Sequence, residues 1–209
     1  STHVCARAVG SARYRITADT RGGHSFADFG ARSAIEVLSR LTCALYRQAL
    51  PRAAGSVTTY NVGMISGGTS INAIAQHAEM LYEYRSNDAK SLAAMKEKLN
   101  VILRENTLPD AKVTVELLGE RPCGTATDPA AQKALETVCC AALKHYVGGK
   151  KPISVGSTDC NIPLSLGIPS ASFGMYRGGG AHTREEWIEP SSLCGGMKAA
   201  ASVLMNWFS

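Results

Sequence analysis

The chain has 209 residues, of which 45% are hydrophobic and 19% charged, and its formal net charge is +5. This composition excludes a disordered chain, which would carry few apolar residues and a high net charge. Only 6% of the residues are aromatic and no Lys/Arg block is present, which argues against a nucleic-acid partner. No apolar run reaches the ~18 to 20 residues that span a bilayer, so we predict no membrane partner.

The seven cysteines are odd in number and contain no C-x-x-C pair. They therefore support neither a disulfide framework nor a cysteine zinc site. A reducing cytoplasm is the expected location.

The apolar pattern of residues 12–121 predicts a small domain of four strands and two helices. The apolar spacing indicates six elements in this order: a strand over 12–19, a helix from about Ala31, strands over 57–65 and 77–85, a helix capped by Asn87-Asp88, and a strand over 113–117. The order β-α-β-β-α-β is that of a ferredoxin-like fold. We expect both helices on one face of a four-stranded antiparallel sheet.

The sequence pattern of residues 122–209 predicts a different architecture. Asp128 as N-cap and Pro129 at the first helical position begin a helix that ends at Gly148. The remaining elements follow in this order: a short strand over 153–155, a turn over 156–159, a helical stretch over 162–166, a strand over 168–173, and a last helix over 191–207. This order suggests α/β packing with buried parallel strands. Because two strands cannot complete such a domain, we expect a larger sheet, to which residues 1–11 contribute a linker or strand.

Five polar or glycine-rich segments suit a functional site, although each alone also has a structural explanation. They are Gly-Gly-His-Ser at 22–25, Gly-Gly-Thr-Ser-Ile-Asn at 67–72, Glu-Tyr-Arg at 83–85, Gly-Ser-Thr-Asp at 156–159, and Gly-Gly-Ala-His-Thr at 179–183. The structural explanations are a turn, a hairpin, an exposed ion pair, a helix cap and a surface loop. Ser157 lies outside a G-x-S-x-G motif, which disfavours a serine-hydrolase nucleophile.

Together and in this order, the five segments resemble the dinuclear-zinc aminopeptidase and aminoacylase superfamily. This superfamily includes peptidase T-like tripeptidases, carboxypeptidase G, succinyl-diaminopimelate desuccinylase and aminobenzoyl-glutamate hydrolases. The resemblance covers nearly the whole chain. It implies a ferredoxin-like lid that dimerises, here 12–121, inserted into an α/β zinc-peptidase domain, of which 122–209 would be the C-terminal part.

The resemblance also implies roles for individual residues. His182 would be a zinc ligand, and His24 would reach from the lid of a partner subunit to stabilise the oxyanion. Asn72 and Arg85 would bind polar or carboxylate groups of the substrate, Arg85 by bidentate pairing. The other positions expected against the substrate are Thr158, Asp159, Gly178, Gly179 and Gly180. Two zinc ions, or cobalt or manganese, would activate a bridging water.

The chain departs from the family pattern in two places. Asn72 is followed by Ala-Ile-Ala instead of Ile/Val-Ile-Pro. The early His-x-Asp, bridging Asp and Glu-Glu ligands have no counterpart before Ala12, and the chain opens at Ser1 without Met. We therefore expect a fragment cut from a metallohydrolase that cleaves a peptide or N-acyl amide bond. Alone it should be inactive and hold no zinc tightly.

Two alternatives remain open. The chain could be a non-catalytic dimerisation or ligand-binding module on the same scaffold, which an upstream gene segment without His-x-Asp and Glu-Glu would indicate. A standalone ferredoxin-like binding protein is disfavoured, because the last ~85 residues would need a core of their own. The expected partners are a small peptide or N-acyl amino acid, a second copy bound through the lid, and the missing N-terminal catalytic segment.

Overall fold

A computed structural model describes residues 3–148, 153–181 and 183–207 of the chain. The chain divides into two compact units. The discontinuous unit comprises Ser1–Val9 and Pro122–Ser209, and the inserted unit comprises Gly10–Arg121. The chain therefore passes from one unit to the other at two points, after Val9 and after Arg121.

The first strand, β1 (Val4–Ala8), belongs to the discontinuous unit. The inserted unit then contains, in chain order, β2 (Gly10–Thr20), β3 (Gly23–His24), α1 (Ala34–Arg47), β4 (Thr58–Gly67), β5 (Ala73–Ile74), β6 (His77–Ser86), α2 (Ala89–Asn106) and β7 (Ala111–Arg121). The discontinuous unit continues with α3 (Pro129–Val147), β8 (Ile153–Gly156), α4 (Asn161–Ser165), β9 (Ser172–Phe173), β10 (Gly178–Gly179), β11 (Trp187–Ile188), a 3-10 turn (Pro190–Ser192) and α5 (Leu193–Trp207).

The inserted unit is built on a four-stranded antiparallel sheet in the order β4-β6-β2-β7. Successive side chains of a strand point to opposite faces, and β2 buries Tyr14 and Ile16 on one face while Arg13 and Arg15 stand on the other. Both helices pack on the apolar face, where their buried residues join one core. The prediction of a mixed α+β fold is confirmed.

The first helix begins later than its apolar pattern predicts. The Ala31 amide donates to the Asp28 carbonyl at 2.9 Å, which closes a turn instead of a helix. Ser33 then has an extended backbone (φ −100°, ψ 132°), so helical geometry starts at Ala34 and not near Ala31.

The discontinuous unit has a three-stranded sheet in the order β8-β1-β9. Helices α3 and α5 cover its buried face, where Leu143 and Ala199 pack against Val4 and Ala6. The α3 start is the predicted one, since the Asp128 carboxylate accepts hydrogen bonds from the Ala130 and Ala131 amides.

The prediction of two buried parallel strands is wrong for the second one. Strand β8 is parallel to β1, but β9 is antiparallel to it and contains only Ser172–Phe173. The earlier part of the expected strand has its backbone engaged elsewhere. The Ile168 amide donates to the Pro163 carbonyl, Pro169 has no N–H, and the Ser170 amide donates to the Gln132 side chain.

Within the residues that the structure describes, no helix is both long and apolar enough to cross a membrane.

The N-cap of α2 makes a pH-dependent contribution to stability. The Asp88 carboxylate accepts the Ser91 amide at 2.7 Å, and its hydrogen bonds with Ser91 lower the pKa of Asp88. We expect Asp88→Ala to lower the unfolding free energy by about 1 kcal/mol near neutral pH. Because the folded-state pKa is depressed, the charge-dependent part of this difference is present above the unfolded value of about 3.9 and is lost as pH falls through the folded value.

Urea denaturation of the wild type and Asp88→Ala across this pH range measures the effect. Asp88→Asn, which retains a capping oxygen without the charge, is the control: it should keep the charge-independent part of the stability and show none of this pH dependence. A loss in Asp88→Ala that is equally large in acid would contradict the role of the carboxylate charge.

Candidate functional site

Two of the predicted segments lie side by side at one end of the inserted unit. After β2, residues Gly23 and His24 form β3, which pairs with β5 so that His24 lies opposite Ala73. The Ser25 amide then donates to the Asn72 carbonyl at 3.0 Å. The structure therefore brings His24 and Asn72 together, although they are 48 positions apart in the chain.

The imidazole of His24 is fixed by its own turn. The amides of Phe26 and Ala27 both donate to Nδ1, each at 3.3 Å. A neutral imidazole that accepts at Nδ1 carries its proton on Nε2. The side chain is exposed, and within the described part of the chain Nε2 has no hydrogen-bond partner. His24 is thus oriented as a hydrogen-bond donor toward solvent.

Asp28 holds this turn closed. Its Oδ2 accepts the His24 amide at 2.8 Å, and its Oδ1 accepts Nη2 of Arg21 at 3.1 Å. The packing is tight, since a Cβ on Gly23, whose φ is +153°, would lie 2.7 Å from the Cβ of Asp28. Sequence reasoning missed Asp28. The available signal was an Asp four residues after a His in a Gly-Gly-His-Ser turn.

The Asn72 side chain is also oriented by a neighbour. The Ser70 hydroxyl donates to Asn72 Oδ1 at 2.9 Å, and no described residue accepts from the Nδ2 amide group of this exposed side chain. Donors from two adjacent turns therefore face solvent at the same end of the sheet.

Large apolar side chains flank these donors. Phe26 is 87% exposed, Phe29 is 90% exposed and Ile71 is fully exposed. Phe26 and Ile71 come directly after Ser25 and directly before Asn72, the residues that are joined by a backbone hydrogen bond. Exposed apolar groups at a fixed turn are typical of a surface that contacts a ligand or another protein.

Arg85 lies elsewhere on the same sheet. It pairs with Ser11 at one end of β2, whereas His77 and Asp19 pair at the end that leads to His24. Eight residues of strand separate the two positions, roughly 26 Å at ~3.3 Å per residue. Within one copy, Arg85 and His24 therefore do not contact the same small molecule.

The Arg85 guanidinium is already paired with a carboxylate. Its Nε and Nη2 donate to the two oxygens of Glu83 at 2.9 and 3.0 Å, and Arg13 Nε is 3.3 Å from Glu83 Oε2. The hydrogen bonds from Arg85 lower the pKa of Glu83. A substrate carboxylate would have to displace Glu83, and the structural explanation of an exposed ion pair fits this segment.

In the discontinuous unit, Thr158 and Asp159 belong to the turn between β8 and α4. The turn is held by Asn161, which is buried and was missed from the sequence. Asn161 Oδ1 accepts the Thr158 amide at 2.9 Å, and its Nδ2 donates to the carbonyls of Val9 and Pro122, both at 2.8 Å. Thr158 Oγ1 accepts the Cys160 amide at 3.3 Å, so the turn also has the character of a helix cap.

The glycines at 178–180 form a small hairpin, in which Gly178–Gly179 pairs with Trp187–Ile188. A Cβ on Gly178 would lie 2.4 Å from the Trp187 carbonyl oxygen, so packing inside the hairpin already requires glycine there. His182, the expected zinc ligand, lies outside the described residues.

No metal centre is assembled in residues 3–148, 153–181 and 183–207. Nowhere in these ranges do three His, Cys, Asp or Glu side chains come close enough to hold a metal ion. The donor set of the described residues therefore does not by itself fit a zinc pair.

The proton position on His24 can be measured directly. At about pH 8, where histidine is ordinarily neutral, long-range ¹H–¹⁵N NMR should show the proton of His24 on Nε2. His77 is an internal control with the opposite tautomer, because its Nδ1 is 2.7 Å from an Asp19 carboxylate oxygen that only accepts.

A matched pair of variants tests the turn. Gly23→Ala should displace Asp28 and give His24 a mixture of tautomers, whereas Gly119→Ala, whose new Cβ meets nothing within 4 Å, should leave the spectrum unchanged. A proton on Nδ1 of His24 in the wild type would contradict the assignment.

Comparisons with solved structures support one fold. The chain resembles the aminopeptidase PepT of Bacillus cereus ATCC 10987, with a TM-score of 0.70, 21% identity, and coverage of 100% of this chain and 54% of that one. A tripeptidase of Staphylococcus aureus gives a TM-score of 0.69, 21% identity, and 99% and 54% coverage. An aminobenzoyl-glutamate utilization protein of Klebsiella pneumoniae gives 0.71, 14% identity, and 98% and 51% coverage.

The chain spans about half the length of each of these structures, and at such identities the likeness concerns the fold alone. No curated protein matches the sequence. A family model described as the peptidase dimerisation domain matches residues 7–111, half of the chain. The resemblance inferred from the sequence motifs is thereby confirmed, and the chain belongs to the M20 peptidase family through its dimerisation domain.

Proposed function

We propose that the chain is the lid and the C-terminal part of the catalytic domain of a metallohydrolase that cleaves a peptide or N-acyl amide bond. The family match and the peptidase and amidase names of the structural neighbours support a hydrolase. The strand order β4-β6-β2-β7 with both helices on one face supports a ferredoxin-like lid. The observation that carries the proposal is the oriented Nε2–H of His24.

The chemistry proposed for this chain is stabilisation of negative charge. When a nucleophile attacks an amide carbonyl, charge develops on the carbonyl oxygen, and a donor fixed beforehand stabilises that charge without reorganising. His24 meets this requirement because two backbone amides hold its ring. Asn72 Nδ2, in the adjacent turn, would donate to a second polar group of the substrate.

We propose a metal site for the whole protein, because the described residues alone do not assemble one. Zinc, or cobalt or manganese, would need ligands that these residues do not assemble. His182 would be one ligand, by resemblance. We therefore propose that the 209-residue chain alone neither hydrolyses amides nor binds two zinc ions tightly.

The remaining proposals concern substrate, partner and location. A small peptide or N-acyl amino acid is the proposed substrate, and a carboxylate on it would reach Arg85 only by displacing Glu83. A homodimer formed through the lid is supported by the description of the matching family. The cytoplasmic location rests on the cysteine content of the sequence alone.

The isolated chain gives the first test. With Zn²⁺, Co²⁺ or Mn²⁺ added, we expect no hydrolysis of dipeptides, tripeptides or N-acyl amino acids above the rate of His24→Ala. We also expect no stoichiometric zinc retention after dialysis. Amide hydrolysis that a chelator abolishes would contradict the proposed inactivity.

The gene around this chain gives the decisive test. If the reading frame continues upstream of Ser1 with His-x-Asp and Glu-Glu, the product of the whole frame should be an amidohydrolase. In that product His24→Ala should lower kcat about 100- to 1000-fold with a much smaller change in KM, whereas His77→Ala should be nearly neutral. An upstream segment without those ligands would favour the non-catalytic binding module.

A further inference from the structure

The inserted sheet carries helices α1 and α2 on one face, and we call the opposite face the open face. The residues of β6 on the open face alternate with the buried ones of that strand, and they include Glu79, Leu81, Glu83 and Arg85. Leu81 is thus an aliphatic side chain in a row of charged ones. It lines a cavity of about 290 Å³, close to the ~300 Å³ at which small-molecule sites begin.

Two β-bulges bring further apolar side chains to this cavity. In β4 the register against β6 shifts between Val62 and Met64, so that Gly63 is unpaired and Met64 lies opposite Leu81. In β7 the register against β2 shifts at Leu118, which has no partner in β2. Met64 and Leu118 are half-exposed, and both line the cavity. Bulges re-aim side chains in this way and are common beside active sites.

The polar side chains of the cavity lie in one row across the sheet, since Asn61 and Arg13 both pair with Glu83. Arg85 holds both oxygens of Glu83 at 2.9 and 3.0 Å, whereas Arg13 reaches this carboxylate only with Nε, at 3.3 Å. Two guanidinium groups therefore share one negative charge. Arg13 is exposed, and no described residue accepts from its two Nη nitrogens. These nitrogens can pair with a further carboxylate while Glu83 stays in place.

We propose that this cavity binds a small organic carboxylate with an apolar body, for example an N-acyl amino acid with an aliphatic side chain. The apolar body lies on Leu81, Met64 and Leu118, and the carboxylate pairs with the Nη nitrogens of Arg13. Small-molecule sites combine apolar walls with a few polar groups that fix the orientation of the ligand, and this cavity has that composition. The excess positive charge selects a carboxylate over a neutral or cationic group.

The cavity is distinct from the donors of His24 and Asn72 in the same copy. Arg13 is six positions before Asp19, which lies at the end of β2 that leads to His24, and six residues of strand span roughly 20 Å. N-acyl amino acids are also the substrates proposed above, but binding in this cavity requires neither a metal nor His24. The inference therefore does not rest on the proposed hydrolysis. It assigns the recognition of a carboxylate to Arg13 and not to Arg85.

Titration of three compounds into the 209-residue chain, followed by NMR chemical shifts, tests the ligand class. N-acetyl-L-leucine has both features, N-acetyl-L-leucinamide lacks the charge, and acetate lacks the apolar body. We expect N-acetyl-L-leucine to bind with a dissociation constant in the low millimolar range, at least about tenfold more tightly than the other two. Equal affinity of either of them would overturn the ligand class, and no binding of N-acetyl-L-leucine at about 20 mM would overturn the site.

Two arginines of β2 provide a matched pair of variants. Arg13→Gln should weaken the binding of N-acetyl-L-leucine at least about tenfold, because it removes a charge-assisted hydrogen bond. Arg15→Gln removes the same charge two positions along the same face, where Arg15 Nη1 is already paired with Glu116 at 2.7 Å. It should change the affinity less than about twofold. An unchanged affinity in Arg13→Gln, or an equal loss in both variants, would overturn the role of Arg13.

Two neighbouring leucines of β7 test the apolar surface. Leu117 and Leu118 are 50% and 43% exposed, but Leu117 pairs with Tyr14 on the helix side of the sheet, whereas Leu118 lines the cavity. Leu118→Ser should weaken the binding of N-acetyl-L-leucine about fivefold and Leu117→Ser less than about twofold, with circular dichroism like that of the wild type. A loss in Leu117→Ser as large as in Leu118→Ser would overturn the proposed position of the ligand.

Discussion

The alternation of apolar and charged side chains along β2 determines which face of the inserted sheet is covered by helices and which face carries ion pairs. This strand is paired on both sides, with β6 and with β7, so its apolar row must be covered from one face and its charged row left on the other. Both helices therefore pack against Tyr14 and Ile16, and the ion pairs of Arg13 and Arg15 stand on the open face. The strand's last residues also lead the chain to β3, which decides at which end of the sheet His24 appears.

The buried core of the inserted unit contributes far more to its stability than the exposed ion pairs do. Each fully buried Leu of α1 contributes about 1.5 to 3 kcal/mol, whereas the exposed pair between Arg15 and Glu116 contributes well under ~1 kcal/mol. The core thus holds α1 against the sheet, and the His24 turn is held by its local hydrogen bonds and by its pairing with β5. Two of these bonds go to Nδ1 of the His24 ring and one comes from the His24 amide, so Nε2–H is the ring donor that remains for a ligand.

The elements with local signals were predictable, and the features that depend on pairing were not. Asp88 and Asp128 are caps whose chemistry is contained in a few neighbouring residues. The short length of β9 depends on hydrogen bonds that the Ile168 and Ser170 amides donate to Pro163 and Gln132. The apolar periodicity of the sequence does not predict these bonds. The resemblance assigned Asn72, Arg85 and a partner subunit's His24 to one candidate site, but only the strand register shows that Arg85 lies at the far end of the sheet from His24 of the same copy. Asp28 is the exception, because its contacts with Arg21 and His24 are local and the sequence reasoning nevertheless missed it.

Asn161 bonds two carbonyls that mark the places where the chain crosses between the two units, and the closeness of these crossings affects the entropy of folding. They belong to Val9 and Pro122, the residues at which the chain leaves and re-enters the discontinuous unit. Pairing of β1 with β8 must close a long loop, but once Ser11 has paired with Arg121 the loop is roughly fourfold shorter. By loop-closure entropy this shortening is worth about 1.2 kcal/mol. The inserted unit thus acts as an internal tether: once it has folded, assembly of the β8-β1-β9 sheet costs less chain entropy.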